Sequence, residues 1–263
     1  METDKSIVRL SNVTVAYEGQ KPALKNVTLA IAPGSYLAVL GPNGAGKTTL
    51  FKAILGLIGP TKGEVSVFGK EPHRARRQIA YIPQREAVDW RFPLRAIDVV
   101  MMGRENHIGW GLWPRASDRL AVESALRQVG MWERRHAPLD ELSGGQQQRL
   151  FIARALAGDA PLFLLDEPFN EVDAGTQELL LDLFTKLVKQ GRTVIVSLHD
   201  LELARRRFPE MLFLNKEVVA HGKTDEVFNP AVLQQTYMEQ VVKWEEDGET
   251  RSVLDGHGLA HRV

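Results

Sequence analysis

The stretch from Gly41 to Thr48 limits the possible folds of this chain more than any other. It reads Gly-Pro-Asn-Gly-Ala-Gly-Lys-Thr and fills the eight-position P-loop pattern. A strand-like run at 35–40 precedes it, and a helical run from Thr49 to Leu57 follows it. Because a P-loop joins a strand to a helix, the sequence predicts an α/β fold in which this loop binds phosphate.

Each part of the P-loop has an expected role toward a nucleotide. Glycines let backbone N–H groups face a phosphate chain, and the helix that follows adds its positive dipole end. Lys47 is expected to reach the β and γ phosphates, and Thr48 to offer a hydroxyl to Mg²⁺. The predicted nucleotide-binding residues here are Gly41, Pro42, Asn43, Gly44, Ala45, Gly46, Lys47, Thr48 and Thr49.

A second predicted strand ends in two acids. The apolar run Leu162 to Leu165 is followed directly by Asp166 and Glu167. Ligands of an open parallel sheet gather at the carboxyl ends of its strands, so these acids are expected beside the P-loop. Asp166 is predicted to hold Mg²⁺ and Glu167 to polarise a water that attacks the γ phosphate; the alternative is a solvated strand end.

Two other polar residues follow strand-like runs. His199 comes after 193–198 and is predicted to hydrogen-bond the γ phosphate, although a single histidine is more often structural. Gln84 comes after 79–83 and fits an amide ligand of Mg²⁺.

A second phosphate-binding element is predicted at Leu142 to Gln146. Ser143 is a good N-cap for a helix that runs to Gly158, and exposed N–H groups at its start attract anions. Simple helix capping is the alternative. Two phosphate sites about a hundred residues apart predict that two chains pair head to tail around ATP.

In their order and spacing, these motifs resemble the ATPase subunit of ATP-binding cassette transporters over about residues 6–235. The resemblance implies a P-loop NTPase (RecA-like) core with an antiparallel β subdomain and a helical subdomain that carries the signature motif Leu142 to Gln146. One ATPase domain is expected at 1–240, with the helical subdomain inserted at about 92–158 and a polar tail at 241–263.

The resemblance also implies individual roles. Tyr17 stacks on adenine, Gln84 couples the site to a membrane partner, and Asp173 bridges the two sites. Glu167 is the catalytic base and His199 senses the γ phosphate. Ser143 and Gly145 of the signature motif contact the opposite γ phosphate, and Gly144 and Gln146 of the same motif are also predicted nucleotide-binding residues. Glu171 departs from the family pattern, which leaves the role of the loop around Asp173 less defined.

A narrower likeness concerns Tyr81 to Pro93, which is similar to the corresponding segment in manganese, zinc and iron importers. Asp98 to Arg104 and Glu167 to Phe169 continue it, whereas Arg91 stands where an acid is common. Trp90 and Phe92 are candidate anchors for a permease helix, or alternatively core residues of the helical subdomain.

The sequence therefore predicts an ATPase subunit that dimerises on ATP and drives a separate permease importing a divalent transition metal, with ATP and Mg²⁺ as cofactors. An extracytoplasmic metal-binding protein is an expected further partner, and the expected location is the cytoplasmic face of the inner membrane. A siderophore or cobalamin importer is the nearest alternative; an exporter, a non-transport cassette ATPase and a P-loop kinase are others.

Composition agrees with these expectations. Thirty-three basic residues balance thirty-three acidic residues among 263, so no net field draws the chain to nucleic acid. Cysteine is absent, which excludes disulfides and thiolate chemistry. No apolar run reaches the ~18 residues of a spanning helix, and the first residues do not resemble a secretory leader. The arginine runs at 74–77 and 205–207 are typical of solvated helix faces, and His257 with His261 makes a weak zinc motif.

Overall fold

A computed structural model describes residues 6–19, 21–84, 92–109, 112–170 and 172–237, together with the backbone of 242–246, 249–253 and 260–262. The chain divides into two compact units. The first unit comprises Met1–Arg76 and Ile195–Val263, and the second unit comprises Arg77–Val194.

The first unit holds the P-loop and two sheets before residue 240, with a third small sheet in its C-terminal segment. Its strands are β1 (Val8–Val15), β2 (Leu24–Ile31), β3 (Tyr36–Leu40), β4 (Lys62–Val67), most of β7 (Thr193–Leu198), β8 (Glu210–Asn215) and β9 (Glu217–Lys223). Its helices are α1 (Lys47–Ile54), α2 (Pro72–Ala75), α8 (Leu201–Arg207), α9 (Thr224–Val227) and α10 (Pro230–Tyr237).

The smaller sheet of the first unit is antiparallel. Its order is β2-β1-β4, with Leu10 paired to Leu29 on one side and to Val65 on the other. The alternation of apolar residues along these strands buries one face of the sheet, as the sequence predicts. This sheet confirms the predicted antiparallel β subdomain.

The larger sheet of the first unit has the order β7-β3-β8-β9. β3 and β8 are parallel, and β9 returns antiparallel to β8. All five residues of β3 are buried, which is the pattern of a parallel strand covered on both faces. α1 begins directly after the P-loop, and Phe51 on this helix is fully buried. The strand-loop-helix setting predicted for the P-loop is therefore present.

The second unit holds two parallel strands and most of the longer helices. Its strands are β5 (Ile79–Ile82) and β6 (Leu162–Asp166), which pair in parallel. Its helices are α3 (Ala96–Met102), α4 (Glu105–Ile108), α5 (Ala116–Gln128), α6 (Gly144–Ala157) and α7 (Ala174–Lys189), with 3₁₀ turns at Trp132–Arg134 and Leu139–Glu141. α3 to α6 occupy the region predicted to be helical.

Two helix boundaries differ from the sequence-based expectation. α1 ends at Ile54 and not at Leu57, because Gly56 takes a left-handed φ of 64° and a Cβ there would lie 2.9 Å from the backbone nitrogen of His73. α7 begins at Ala174, which the sequence analysis does not assign to a helix start, because Asp173 caps it.

The polar C-terminal segment includes three strands, β10 (Val242–Glu246), β11 (Glu249–Val253) and β12 (Ala260–Arg262), in an antiparallel sheet. The sequence-based expectation was a loose tail. Composition alone missed these strands, because their alternation of apolar and charged residues covers only a few positions. His261 lies in β12 and His257 lies outside the described residues, so the weak zinc motif stays a prediction.

No helix in the described part of the chain combines the length and the apolar character needed to cross a membrane.

A buried ion pair joins α4, α5 and α6 in the second unit. The Arg104 guanidinium lies 3.0 Å from Asp118 Oδ1 and also donates to the carbonyl of Ala157. Asp118 Oδ2 accepts the backbone N–H of Arg115 at 2.9 Å, and its side chain is only 4% exposed. The Arg115 N–H, and after it Arg104, hold the pKa of Asp118 below its ordinary value although burial opposes this.

Asp118→Asn is expected to lower the Tm at neutral pH, because it leaves the buried Arg104 without its counter-charge. Since the folded pKa of Asp118 is depressed, its contribution is complete above the unfolded pKa of about 4 and disappears as the pH falls through the folded value. The Tm difference from wild type should therefore shrink below about pH 4. Asp140→Asn, at an exposed acid of the same unit, serves as the control; an equal Tm loss in both variants would contradict the prediction.

Candidate functional site

The P-loop lies between β3 and α1 in the first unit. Gly41, Gly44 and Gly46 have φ values of 155°, 80° and 99°, which are conformations that favour glycine. The ammonium of Lys47 donates to the carbonyl of Gly41 at 2.7 Å and to that of Pro42 at 3.4 Å, and the lysine is only 7% exposed. A buried cation is thus held at the start of α1, where anions bind favourably.

Neighbouring backbone fixes the shape of the P-loop. A Cβ on Gly41 would lie 2.1 Å from the carbonyl oxygen of Leu214, near the end of β8. Lys216, just after β8, donates its backbone N–H to the carbonyl of Ala45 at 2.8 Å. The loop is therefore packed against the end of a sheet strand, which gives it little freedom to deform.

Tyr17 and His199 also lie in the first unit. The hydroxyl of Tyr17 is 3.3 Å from Oγ1 of Thr49, and its ring is 38% exposed. An exposed ring tied to the first turn of α1 is suited to stacking on a base. His199 follows β7 and is exposed, and the next residue, Asp200, caps α8 through the backbone N–H of Leu203.

The two predicted acids lie at the end of β6 in the second unit. Asp166 is 1% exposed, and Glu167, which is half-buried, has a left-handed φ of 51°. Burial and, after it, the negative charge of Asp166 raise the pKa of Tyr81, on the neighbouring strand β5, to about 12. The end of β6 thus carries a buried carboxyl group that is followed directly by a second acid.

The signature motif forms the predicted helix start. Ser143 Oγ accepts the backbone N–H of Gln146 at 3.4 Å, and the Gln146 side chain accepts the N–H of Ser143 at 3.0 Å. This reciprocal pair is a capping box, and it leaves the hydroxyl of the exposed Ser143 at the start of α6. The sequence-based prediction of a cap is confirmed, whereas the contact with phosphate stays a prediction.

Asp173 lies close to the signature motif within the second unit. A Cβ placed on Gly145 would be 3.9 Å from Asp173 Oδ2. The Asp173 carboxylate accepts the hydroxyl of Thr176 at 2.7 Å and its backbone N–H at 2.9 Å, and these bonds lower the pKa of Asp173. Asp173 is thus held as an anion at the N-terminus of α7.

Gln84 follows β5 and is half-buried. The next residues, 85–91, lie outside the described residues, so the predictions for Trp90 and Arg91 are not addressed. Phe92 is 61% exposed, so it does not belong to the core of its own unit.

The predicted site residues fall into two sets. The first unit contains Tyr17, Gly41, Pro42, Asn43, Gly44, Ala45, Gly46, Lys47, Thr48, Thr49 and His199. The second unit contains Gln84, Ser143, Gly144, Gly145, Gln146, Asp166, Glu167 and Asp173. Within the units, the structure brings Tyr17 to Thr49, Lys47 to Gly41, and Gly145 to Asp173.

One contact of this site was missed by sequence reasoning. Asn170 Nδ2 donates to Glu167 Oε2 at 2.8 Å. Its only signal in the sequence is an amide three residues after the acid, which is not distinctive by itself.

The described residues contain no group of three or more histidine, cysteine, aspartate or glutamate side chains that could hold a metal ion.

A model of the ABC transporter family matches residues 24–170. The manganese transport system ATP-binding protein MntB of Halalkalibacterium halodurans is 47% identical over 231 residues, which cover 88% of this chain and 92% of that protein. The zinc transport system ATP-binding protein TroB of Treponema pallidum is 44% identical over 230 residues, which cover 88% of this chain and 86% of that protein.

Solved structures agree with these relatives. The ATP-binding cassette MJ0796, as a dimer in a post-hydrolysis state with ADP and phosphate, has a TM-score of 0.74 and 31% identity over 82% of this chain and 98% of that one. An inward-facing ABC transporter described as of the metal-chelate type has a TM-score of 0.79 and 26% identity over 94% of this chain and 96% of that one. The predicted α/β nucleotide-binding fold is confirmed, and the chain belongs to the ATP-binding cassette (ABC) transporter family as an ATPase subunit.

Proposed function

We propose that this chain drives the import of a divalent transition metal, manganese, zinc or iron, through a separate membrane permease. The observation that carries the proposal is the 47% identity to a manganese transport ATP-binding protein over nearly the whole length of both chains. The metal-chelate transporter is only 26% identical, so the sequence favours a free metal ion over a siderophore or cobalamin. The chain would act at the cytoplasmic face of the membrane, with an extracytoplasmic protein that delivers the metal and without nucleic acid.

The predicted site residues of the first unit have proposed roles in the binding and hydrolysis of ATP. Lys47 contacts the β and γ phosphates, and the backbone of the P-loop surrounds the phosphate chain. Tyr17 stacks on adenine, and His199 hydrogen-bonds the γ phosphate and the attacking water. The support for these roles is the rigid, cationic loop built from Gly41 to Thr49.

The proposed oxygen ligands for Mg²⁺ are the hydroxyl of Thr48, the amide of Gln84 and the carboxylate of Asp166. This donor set fits an ion that prefers oxygen and keeps several waters, and the buried carboxyl group of Asp166 at the end of β6 supports it. Bound Mg²⁺ would neutralise charge on the phosphate oxygens.

Glu167 is the proposed general base, and it takes a proton from the water that attacks the γ phosphate. Hydrolysis needs mainly positioning and charge neutralisation, which Lys47 and His199 supply around the phosphate. In a head-to-tail homodimer, Ser143 to Gln146 of one chain would contact the γ phosphate held by its partner, and Asp173 would link the two sites.

A groove in the second unit is the proposed contact of the permease. Its volume is about 110 Å³, and its lining includes Tyr81, Met102, Asn106, Phe151 and Arg154. Met102 is 42% exposed and, with Phe92, offers apolar surface to a helix of the partner. Gln84, two residues after β5, would connect this contact to the nucleotide.

Co-purification tests the proposal directly. The tagged chain, co-expressed with the permease encoded beside it, is expected to purify as a complex that takes up Mn²⁺ or Zn²⁺ into vesicles only with MgATP. Phosphate release without any acceptor would separate this ATPase from a P-loop kinase. Uptake of a siderophore or cobalamin in place of the metal ion would contradict the proposed substrate. Purification of the tagged chain without any permease would contradict the transport function.

A further inference from the structure

The loop after β6 folds back on Glu167. The backbone N–H of Asn170 donates to the carbonyl of Glu167 at 3.3 Å, and Asn170 Nδ2 donates to Glu167 Oε2 at 2.8 Å. One residue thus holds both the main chain and the side chain of Glu167. The left-handed φ of 51° at Glu167 gives this turn its sharp reversal.

The chemistry of the two side chains fixes the direction of the bond. An ionised carboxylate only accepts hydrogen bonds, so the amide nitrogen of Asn170, and not its oxygen, must face Glu167. Bonds from a neutral donor to an anion are stronger than those between neutral groups. The bond therefore holds Oε2 of Glu167 in one place and with it the orientation of the carboxylate.

Both ends of this loop are anchored within the second unit. Asp166 is buried at the end of β6, and the ring of Phe169 lies 6.1 Å from the ring of Phe184 on α7. At the far end, Asp173 caps α7 through Thr176. Asn170 is thus carried on a short segment fixed on both sides, which suits it to hold another side chain in place.

We propose that Asn170 is a positioning residue for hydrolysis: its amide fixes the rotamer of Glu167 through the carboxylate oxygen Oε2. This inference rests on the proposed role of Glu167 as the general base. A purely structural role is the competing explanation, because asparagine is common in turns. That role would change the stability of the protein without lowering kcat.

Two substitutions separate these explanations in the full-length chain with MgATP. Asn170→Asp keeps the shape but replaces the donor with a carboxylate, and Asn170→Ala removes the side chain. Both are expected to lower kcat by about 10–100-fold, the range for losing a hydrogen bond to a charged group, with the KM for ATP within about twofold. Asn229→Asp, which retains the cap of α10, makes the same amide-to-acid change in the first unit and serves as the control.

The split between kcat and KM is the readout that a structural role would not move. A general base in the wrong rotamer slows the activation of the attacking water, so kcat falls while the KM for ATP stays nearly unchanged. A turn that is only loosened should lower the Tm and leave kcat of the folded protein unchanged. Thermal unfolding of the same preparations therefore accompanies the kinetics.

The outcomes distinguish this inference from the proposed function. If kcat of both variants matches wild type, or if only their Tm falls, Asn170 has no positioning role. If instead wild type does not hydrolyse ATP, or Glu167→Gln hydrolyses it at the parent rate, the assignment of Glu167 itself is wrong. A variant that does not fold is replaced by the other, since the shape-preserving and truncating changes disturb the turn differently.

Discussion

Glu167→Gln is expected to lower steady-state ATP hydrolysis by about 10²–10⁴-fold while leaving ATP binding intact. Glutamine has the same shape as glutamate but cannot take a proton from the attacking water. Glu167 follows the buried strand β6, and its carboxylate accepts a hydrogen bond from Asn170. Replacing glutamate with glutamine here should therefore not disturb the neighbouring fold. A loss confined to kcat is the signature of a group that acts in the transition state.

Phosphate release and nucleotide binding measured on the same preparation test this prediction. Glu133→Gln, at an exposed acid of the second unit, makes the same chemical change away from β6 and should retain wild-type turnover. Hydrolysis by Glu167→Gln near the parent rate would refute the assignment of the base.

The same variant reports on the proposed homodimer. If the γ phosphate is contacted by the signature motif of a second chain, blocking hydrolysis should preserve the ATP-bound dimer. Size-exclusion chromatography with MgATP should then show a dimer for Glu167→Gln and a monomer once ATP is removed. A monomer under both conditions would argue against the shared site.

The sequence was most informative where a local pattern and a chemical motif coincide. The P-loop between β3 and α1, the buried run of β6 ending in Asp166, and the cap at Ser143 are all determined by neighbouring residues along the chain. Burial on both faces makes parallel strands continuous apolar runs, and these are readable without a structure.

The features that the sequence did not predict depend on tertiary packing or on an unusual backbone conformation. The buried contact of Arg104 with Asp118 requires α4 and α5 to be placed correctly, and the approach of Leu214 to Gly41 joins positions 173 residues apart (214 − 41). No periodicity carries such information, because tertiary packing decides these contacts. The bond from Asn170 to Glu167 is local but depends on the left-handed backbone at Glu167, which propensities do not predict for glutamate.

The contact between Leu214 and Gly41 leads to the second prediction with a large effect. Gly41→Ala is expected to weaken ATP binding by about 30–100-fold, because a Cβ at this position would lie 2.1 Å from the carbonyl oxygen of Leu214. The oxygen belongs to a strand held on both sides, with Phe213 paired to Leu40 of β3 and Leu214 paired to Val218 of β9. The P-loop must therefore move. Overpacking of this kind costs about 2–3 kcal/mol. If this cost falls on nucleotide binding, it corresponds to the expected loss of ATP affinity.

Gly34→Ala separates this overlap from simple backbone strain. Gly34 also has a positive φ, 79°, but a Cβ there would meet nothing within 4 Å, so only a conformational cost of about 1 kcal/mol is expected. Titration with a fluorescent ATP analogue and thermal unfolding of both variants provide the comparison. Gly34→Ala should lose some Tm and retain its ATP affinity, whereas Gly41→Ala should lose affinity beyond any change in Tm. If Gly41→Ala and Gly34→Ala bind ATP with equal affinity, the end of β8 moves to accommodate the added methyl group. In that case β8 does not determine the shape of the P-loop.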